Sequence, residues 1–212
     1  TLGLMLALIV AGCGGGGGDS NGDGPPNTSY LPMQVGNSWQ YVMTLAPDIT
    51  PTQNQPNQIF DYHETVTGIA GLDGTDYFLF RSVREQTDEH PERVWQQIRR
   101  ATDEAIYARV GDPAYDLPVL TLPPRAGDTW TDPVFPEVTF EITAVNEEVT
   151  VPAGTFTCVR VEQEYERELE GGDSVSERTR TWFARGVGQV KQETLDGGVL
   201  TAMIELTDYS VQ

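Results

Sequence analysis

The sequence predicts an all-β fold: a single antiparallel, strongly curved sheet, half-barrel or barrel-like, divisible into two similar half-units. Three observations predict it. Segments rich in β-branched and aromatic residues recur at short intervals. Clusters of Gly, Pro, Asp and Asn separate them. A nine-residue turn motif occurs twice, with an offset of 91 residues.

The strands are expected in this order. Residues 38–45 (SWQYVMTL) open on a Trp after a Gly-Asn turn, and 59–69 (IFDYHETVTGI) and 76–83 (DYFLFRSV) are dense in aromatic and branched side chains. Next come 93–100 (RVWQQIRR) and 104–110 (EAIYARV), in a stretch that reads two ways. Val94, Ile98, Ala101 and Ala105 fit one face of a helix over 92–105, whereas Val94, Gln96, Ile98 and Arg100 alternate as a strand. The hairpin, with ATDE as its turn, is preferred because Ile106 to Val110 is strand-like. Six more follow: 137–145 (EVTFEITAV), 148–151 (EVTV), 155–168 (TFTCVRVEQEYERE), 174–184 (SVSERTRTWFA), 188–195 (GQVKQETL) and 199–206 (VLTAMIEL).

Two turns are strongly marked. LDGGV before the last strand and EGGDS before 174–184 supply the positive-φ positions of tight hairpins. Across the EGGDS hairpin, Glu162, Glu164, Glu166 and Glu168 face Arg178 and Arg180, a pattern that sets register and marks a solvated outer face. The repeated motif is LPMQVGNSW (31–39) and LPPRAGDTW (122–130), sharing L-P-x-x-x-G-[ND]-[ST]-W. Its physical content is a Pro-bounded approach, a tight turn, and a Trp entering the core at a strand start.

Before the β-rich domain (30–212) lie two segments of different character. The chain opens TLGLMLALIVAGC, whose apolar run is too short for a bilayer but has the length of a signal-peptide core. With no Met and no basic segment before it, residues 1–12 are expected to be the end of a truncated signal peptide. Val10-Ala11-Gly12-Cys13 resembles a bacterial lipobox, which implies acylation of Cys13 and anchoring to a membrane. Gly14 after that Cys favours the outer membrane by the sorting rule of such lipoproteins. Residues 13–29, rich in Gly, Asp and Pro, read as a flexible tether reaching about 20–25 Å. Asp19, Asn21 and Asp23 followed by Gly24 also match the start of a calcium loop. The ligand position that should be Glu is Tyr30, and Pro25-Pro26 interrupt the loop, so the tether is preferred.

Composition excludes one partner class. Against 32 acidic residues stand 13 basic ones, net −19, which opposes nucleic acid and adhesion to anionic lipid surfaces. With Cys13 acylated, Cys158 has no disulfide partner and is expected as a packed thiol within a strand. His63 and His90 are too few and too separate for zinc or a catalytic triad, and no P-loop or G-x-S-x-G elbow occurs. No catalytic residue, cofactor or metal ligand is nominated. Tyr62, Tyr77, Trp95, Tyr107 and Trp182 are candidates to line a lipid or carbohydrate groove, with the core as their alternative.

The stretches YLPMQVGNSWQY, VTVPAGTFTCVRVE and TWFARGVGQVKQE resemble uncharacterised bacterial envelope lipoproteins, in which a VPAGTF hairpin precedes a W-x-A-x-GVG hairpin. That resemblance implies a curved sheet similar to the half-barrels of lipoprotein carriers, whose concave face holds acyl chains. The chain shows no clear helix to plug such a barrel. The function expected is therefore a lipid-anchored, non-catalytic envelope protein binding a partner or an amphiphile. Two alternatives are a carboxylate-type envelope hydrolase, from the acidic surplus, and a calcium-dependent adhesion or assembly module.

Overall fold

The computed structural model describes residues 29–46, 58–87, 90–168 and 174–212. Twelve strands form one antiparallel sheet. They are β1 (Ser38–Leu45), β2 (Gln58–Leu72), β3 (Thr75–Arg84), β4 (Arg93–Ala101), β5 (Ala105–Val110), β6 (Tyr115–Thr121), β7 (Thr129–Thr131), β8 (Thr139–Val151), β9 (Gly154–Glu168), β10 (Ser174–Ala184), β11 (Gly188–Asp196) and β12 (Val199–Ser210). Each strand pairs with the next except across β6 and β7, and β12 returns to pair with β1.

The edges of this sheet are therefore consecutive in the chain. Twelve strands at about 4.8 Å spacing would make a flat sheet about 50 Å across. The seven residues between β6 and β7 reach at most about 30 Å. The sheet must curl until its edges meet, and side chains complete the contact: the Trp130 indole N–H donates to the Pro118 carbonyl at 2.8 Å. The Tyr115 hydroxyl donates to the Asp132 carboxylate at 2.9 Å. No backbone ladder forms there, because Pro118 has no N–H and Pro133 stands two positions beyond the end of the short strand β7.

With no second layer among the described residues, a curled sheet buries only its inner face. Trp39, Phe60, Val66, Phe80, Ile106, Leu120, Ile142 and Leu206 are fully buried, and they belong to one continuous core. The outer face carries the expected charge ladder: Arg178 pairs with Glu164 and Arg180 with Glu162 in register.

The repeated motif folds the same way twice. In the first copy, Gly36 N–H donates to Val66, Asn37 N–H to Gln34, and Val66 N–H back to Asn37. In the second, Gly127 donates to Ile142, Asp128 to Arg125, and Ile142 back to Asp128. Gly36 and Gly127 both sit at positive φ, 97° and 90°, where a side chain is strained. Each turn delivers its Trp to the inner face at a strand start, so β1–β6 and β7–β12 are two half-units winding the same way.

Several boundaries differ from the sequence reading. Residues 92–105 are not among them, since they form the preferred hairpin, of β4 and β5. The segments expected as 137–145 and 148–151 are one strand, β8, which runs through a bulge where Asn146 takes positive φ. β6 and β7 were not anticipated, since Pro118 and Pro133 disguise two edge strands. Gly197 and Gly198 make the β11–β12 turn as expected, whereas 169–173 lie outside the described residues.

Trp130→Phe and Tyr115→Phe each remove one stitch of the seam while keeping the ring. Each is expected to lower stability by about 0.5–1.5 kcal/mol. Urea midpoints at constant slope measure it.

Candidate functional site

The inner wall of β1–β4 is aromatic around one buried ion pair. Strand register sets Tyr41 beside Tyr62, and Glu64 beside Ser82, which in turn faces Trp95. The rings form a continuous stack: Tyr41 to Tyr62 at 5.3 Å, and Tyr62 to Trp95 at 5.5 Å with planes 13° apart. Burial, and then the Glu64 carboxylate, push the Tyr41 and Tyr62 phenols well above their ordinary range, so both stay protonated and able to donate.

Glu64 is 4% exposed and fully engaged. It accepts from Arg99 Nη1 at 3.1 Å and Nη2 at 3.2 Å, and from the Ser82 and Tyr62 hydroxyls, each at 3.2 Å. Arg99 also donates to Gln97 Oε1, and its guanidinium lies over Phe80 at 4.5 Å. This forked, hydrogen-bonded arrangement is what a charge pair needs to survive out of water.

Burial falls off along the wall. Trp95, Gln97 and Arg99 on β4, Ala108 and Val110 on β5, and Tyr115 and Leu117 on β6 are only half-buried. Ile106 and Leu120 on the same strands are fully buried, so part of this wall is packed and part offers a partly open apolar and aromatic surface with a polar centre. Such a wall can hold an apolar chain.

Alternation along the strands divides the five aromatics named from sequence between the two faces. Tyr62 and Trp95 are on the inner wall. On the outer face the Tyr77 hydroxyl donates to Asp116 at 2.9 Å and accepts from Arg109 at 3.1 Å. Tyr107 lies under Arg100 at 4.1 Å, and Trp182 lies between Lys191 and Arg160 at 5.3 and 6.0 Å. One groove lined by all five does not form.

The two histidines stand apart: His63 contacts Glu85 at 2.7 Å, and His90 packs edge-on against Phe60 at 5.3 Å. Among the described residues no group of three or more His, Cys, Asp and Glu converges on a metal position. Glu162 and Glu164 of the acidic run are engaged with arginine, and hydrogen bonds from Arg178 and Ser176 hold the Glu164 carboxyl below its usual range. Cys158 is a buried free thiol, pushed up to about 12 by burial and then by Glu147. Cys13, Asp19, Asn21 and Asp23 lie outside the described residues.

Two shallow hollows lie away from this wall. One of about 390 Å³ is lined by Thr129–Thr131 and Thr139–Glu141, beside the seam. The other, about 270 Å³, is bounded by Tyr30, Cys158 and Arg185 among others. Neither touches Glu64.

Glu64 was legible in principle. In IFDYHETV, positions 60, 62 and 66 carry core residues, so 64 falls on the buried face. A charged residue at such a position demands a partner, but its identity, Arg99, comes only from the register of β2, β3 and β4.

Comparison with known proteins agrees with the architecture. A family model described as DUF3108-like matches residues 141–206, which include both hairpins of the VPAGTF and W-x-A-x-GVG pattern. The solved structure of an inferred lipoprotein from Parabacteroides distasonis aligns at TM-score 0.59 and 14% identity. It covers 86% of this chain and 99% of that one. An inferred exported protein from Bacteroides fragilis, with a YmcC-like fold, aligns at TM-score 0.57 and 14% identity, covering 85% and 98%. No curated protein matches the chain. At that identity the likeness establishes the fold.

Arg99→Met strands a buried carboxylate and is expected to cost about 3–5 kcal/mol, whereas Glu64→Leu with Arg99→Met recovers most of the loss. Denaturant titrations of the single and double variants check this. Cys158 is expected to stay unreactive to a disulfide exchange reagent at pH 8 until urea unfolds the chain, since the thiolate is the nucleophile.

Proposed function

We propose that this chain is an exported, lipid-anchored envelope protein that performs no catalysis and binds an amphiphile along the inner wall of its sheet. The observation that carries the reading is the partly open stretch of that wall, where the apolar side chains Trp95 and Leu117 remain half-buried beside the core. The lipobox resemblance at Cys13, and the description of one structural neighbour as an exported protein and the other as a lipoprotein, support the location.

The attachment point gives the molecule an orientation. The Gly186 N–H donates to the Ser29 carbonyl, so the chain enters at the end of the sheet where β1 begins. β3 ends and β4 begins at the opposite end. Strands of this length extend about 30–40 Å. A tether running back to Cys13 would hold that far mouth away from the anchoring membrane.

The full chain is expected to fractionate with membranes and to carry diacyl or triacyl mass on Cys13, and Cys13→Ser is expected to release it. The full Cys13→Ser chain is expected to co-purify with lipid and to change Trp fluorescence on titration with dodecyl amphiphiles, a change reduced in Trp95→Phe. Soluble behaviour of the native chain would remove the anchor. An empty, unresponsive wall would remove the amphiphile.

A further inference from the structure

In a chain of net charge −19, cations are scarce, and seven of those on the described strands are paired with carboxylates. Arg99 holds Glu64, Arg100 and Arg109 hold Asp116, and Arg160, Arg178, Arg180 and Lys191 share the outer ladder. Arg84 and Arg93 break the pattern. They are direct cross-strand partners in the β3–β4 register, both on the inner face at the far mouth. Arg84 stands opposite Tyr62 on β2, and its guanidinium covers Phe60 at 4.4 Å.

Two like charges directly opposed destabilise a sheet, and native pairs are ordinarily of opposite sign. Neither arginine forms an ion pair with a carboxylate of the described residues. Of the two acids adjacent in sequence, Glu85 is turned to His63 at 2.7 Å and Glu92 forms no ion pair with either arginine. Arg84 donates from Nη2 to the Pro91 carbonyl at 3.3 Å, but its buried Nε has no hydrogen-bond partner. A buried donor left unpaired is costly. Burial and the Arg93 charge both press Arg84 below its usual pKa, which expresses the same frustration. Arg81, Arg125 and Arg185 also lack carboxylates, but each is alone and exposed.

An anion beside the two guanidiniums neutralises their repulsion and meets the planar fork geometry that suits phosphate and carboxylate. From that point the inner wall runs inward through Tyr62 and Trp95. We propose that Arg84 and Arg93 form an anion clamp at the mouth that receives the phosphate or carboxylate head of an amphiphile whose chain lies along the Tyr62–Trp95 wall. The clamp rests on the amphiphile reading above and assigns its ligand a negative head group.

The test is calorimetry on the full Cys13→Ser chain with dodecyl phosphate, dodecyl maltoside and inorganic phosphate, below micelle-forming concentrations. Dodecyl phosphate is expected to bind at least tenfold more tightly than dodecyl maltoside, about 1.4 kcal/mol. Arg93→Gln, an exposed position that leaves the core intact, is expected to abolish that preference, while Arg81→Gln on the outer face of the same sheet keeps it. Equal binding of both amphiphiles, unaffected by Arg93→Gln, overturns the clamp and leaves the amphiphile reading standing. An equal loss in Arg81→Gln also overturns it, since the effect is then one of net charge. Inorganic phosphate binding as tightly as dodecyl phosphate assigns the site to a free anion and overturns the head-group assignment. No binding by any of the three overturns both readings.

Discussion

The rest of the structure depends on a constraint of connectivity: the two edges of the sheet are joined by seven residues. A sheet that wide cannot stay open on so short a link, so curvature is imposed by the chain before any side chain packs. Curling creates an inside, and the alternation of strand side chains then decides which residues occupy it. The same constraint brings two unpaired edges together, which the protein leaves unzipped by placing Pro118 in one and Pro133 just after the other. Trp130 and Tyr115 hold the gap with side chains instead. The exposed backbone that makes edge strands hazardous is thereby covered without a twelfth ladder.

The two half-units show what the fold requires and what it does not. At the seam's counterpart, β12 and β1 pair along the whole of β1, so the architecture permits closure and the prolines prevent it. Within the half-units, Trp39 is opposite Glu64 and Trp130 is opposite Phe140. The equivalent place is thus filled once by a stacked ring and once by a carboxylate that needs Arg99, Ser82 and Tyr62 to be tolerated. Since an apolar residue serves the fold in one copy, the buried charge in the other is not a demand of the scaffold. Buried ion pairs seldom add stability over apolar packing.

Much of the architecture was legible because it rests on local chemistry. Ten of the twelve strands, the hairpin at 92–105 and the turn at Gly197-Gly198 follow from alternation and turn residues, and the Glu–Arg ladder of β9 and β10 follows from parity alone. The repeated motif was visible as four identities, and its two copies share the same three hydrogen bonds. What escaped was non-local or disguised. β6 and β7 hide behind prolines, β8 runs through a bulge at Asn146 that resembles a turn, and the division of Tyr62 and Trp95 from Tyr77, Tyr107 and Trp182 depends on which face each strand turns inward. The Glu64–Arg99 pair joins strands that are not neighbours, and no spacing in the sequence announces it.

Charge placement separates scaffold from site more sharply than burial does. On the outer face, cations and anions alternate across strands and cancel pairwise, an arrangement worth little per pair in water but effective at penalising register slips, because a shift of one residue turns the ladder inward. Inside, the Glu64–Arg99 pair is cancelled at full cost of desolvation, and a second position sets two arginines opposite each other with no carboxylate of the described residues paired to either. Selection for folding alone would remove both, the first by an apolar swap such as the other half-unit already contains, the second by changing either arginine to an acid. Both lie on the inner face of the same three strands, β2 to β4, and flank the Tyr62–Trp95 stack. The departures from what a curled sheet needs are therefore gathered along one stripe of wall, the stripe at which packing gives way to half-open surface.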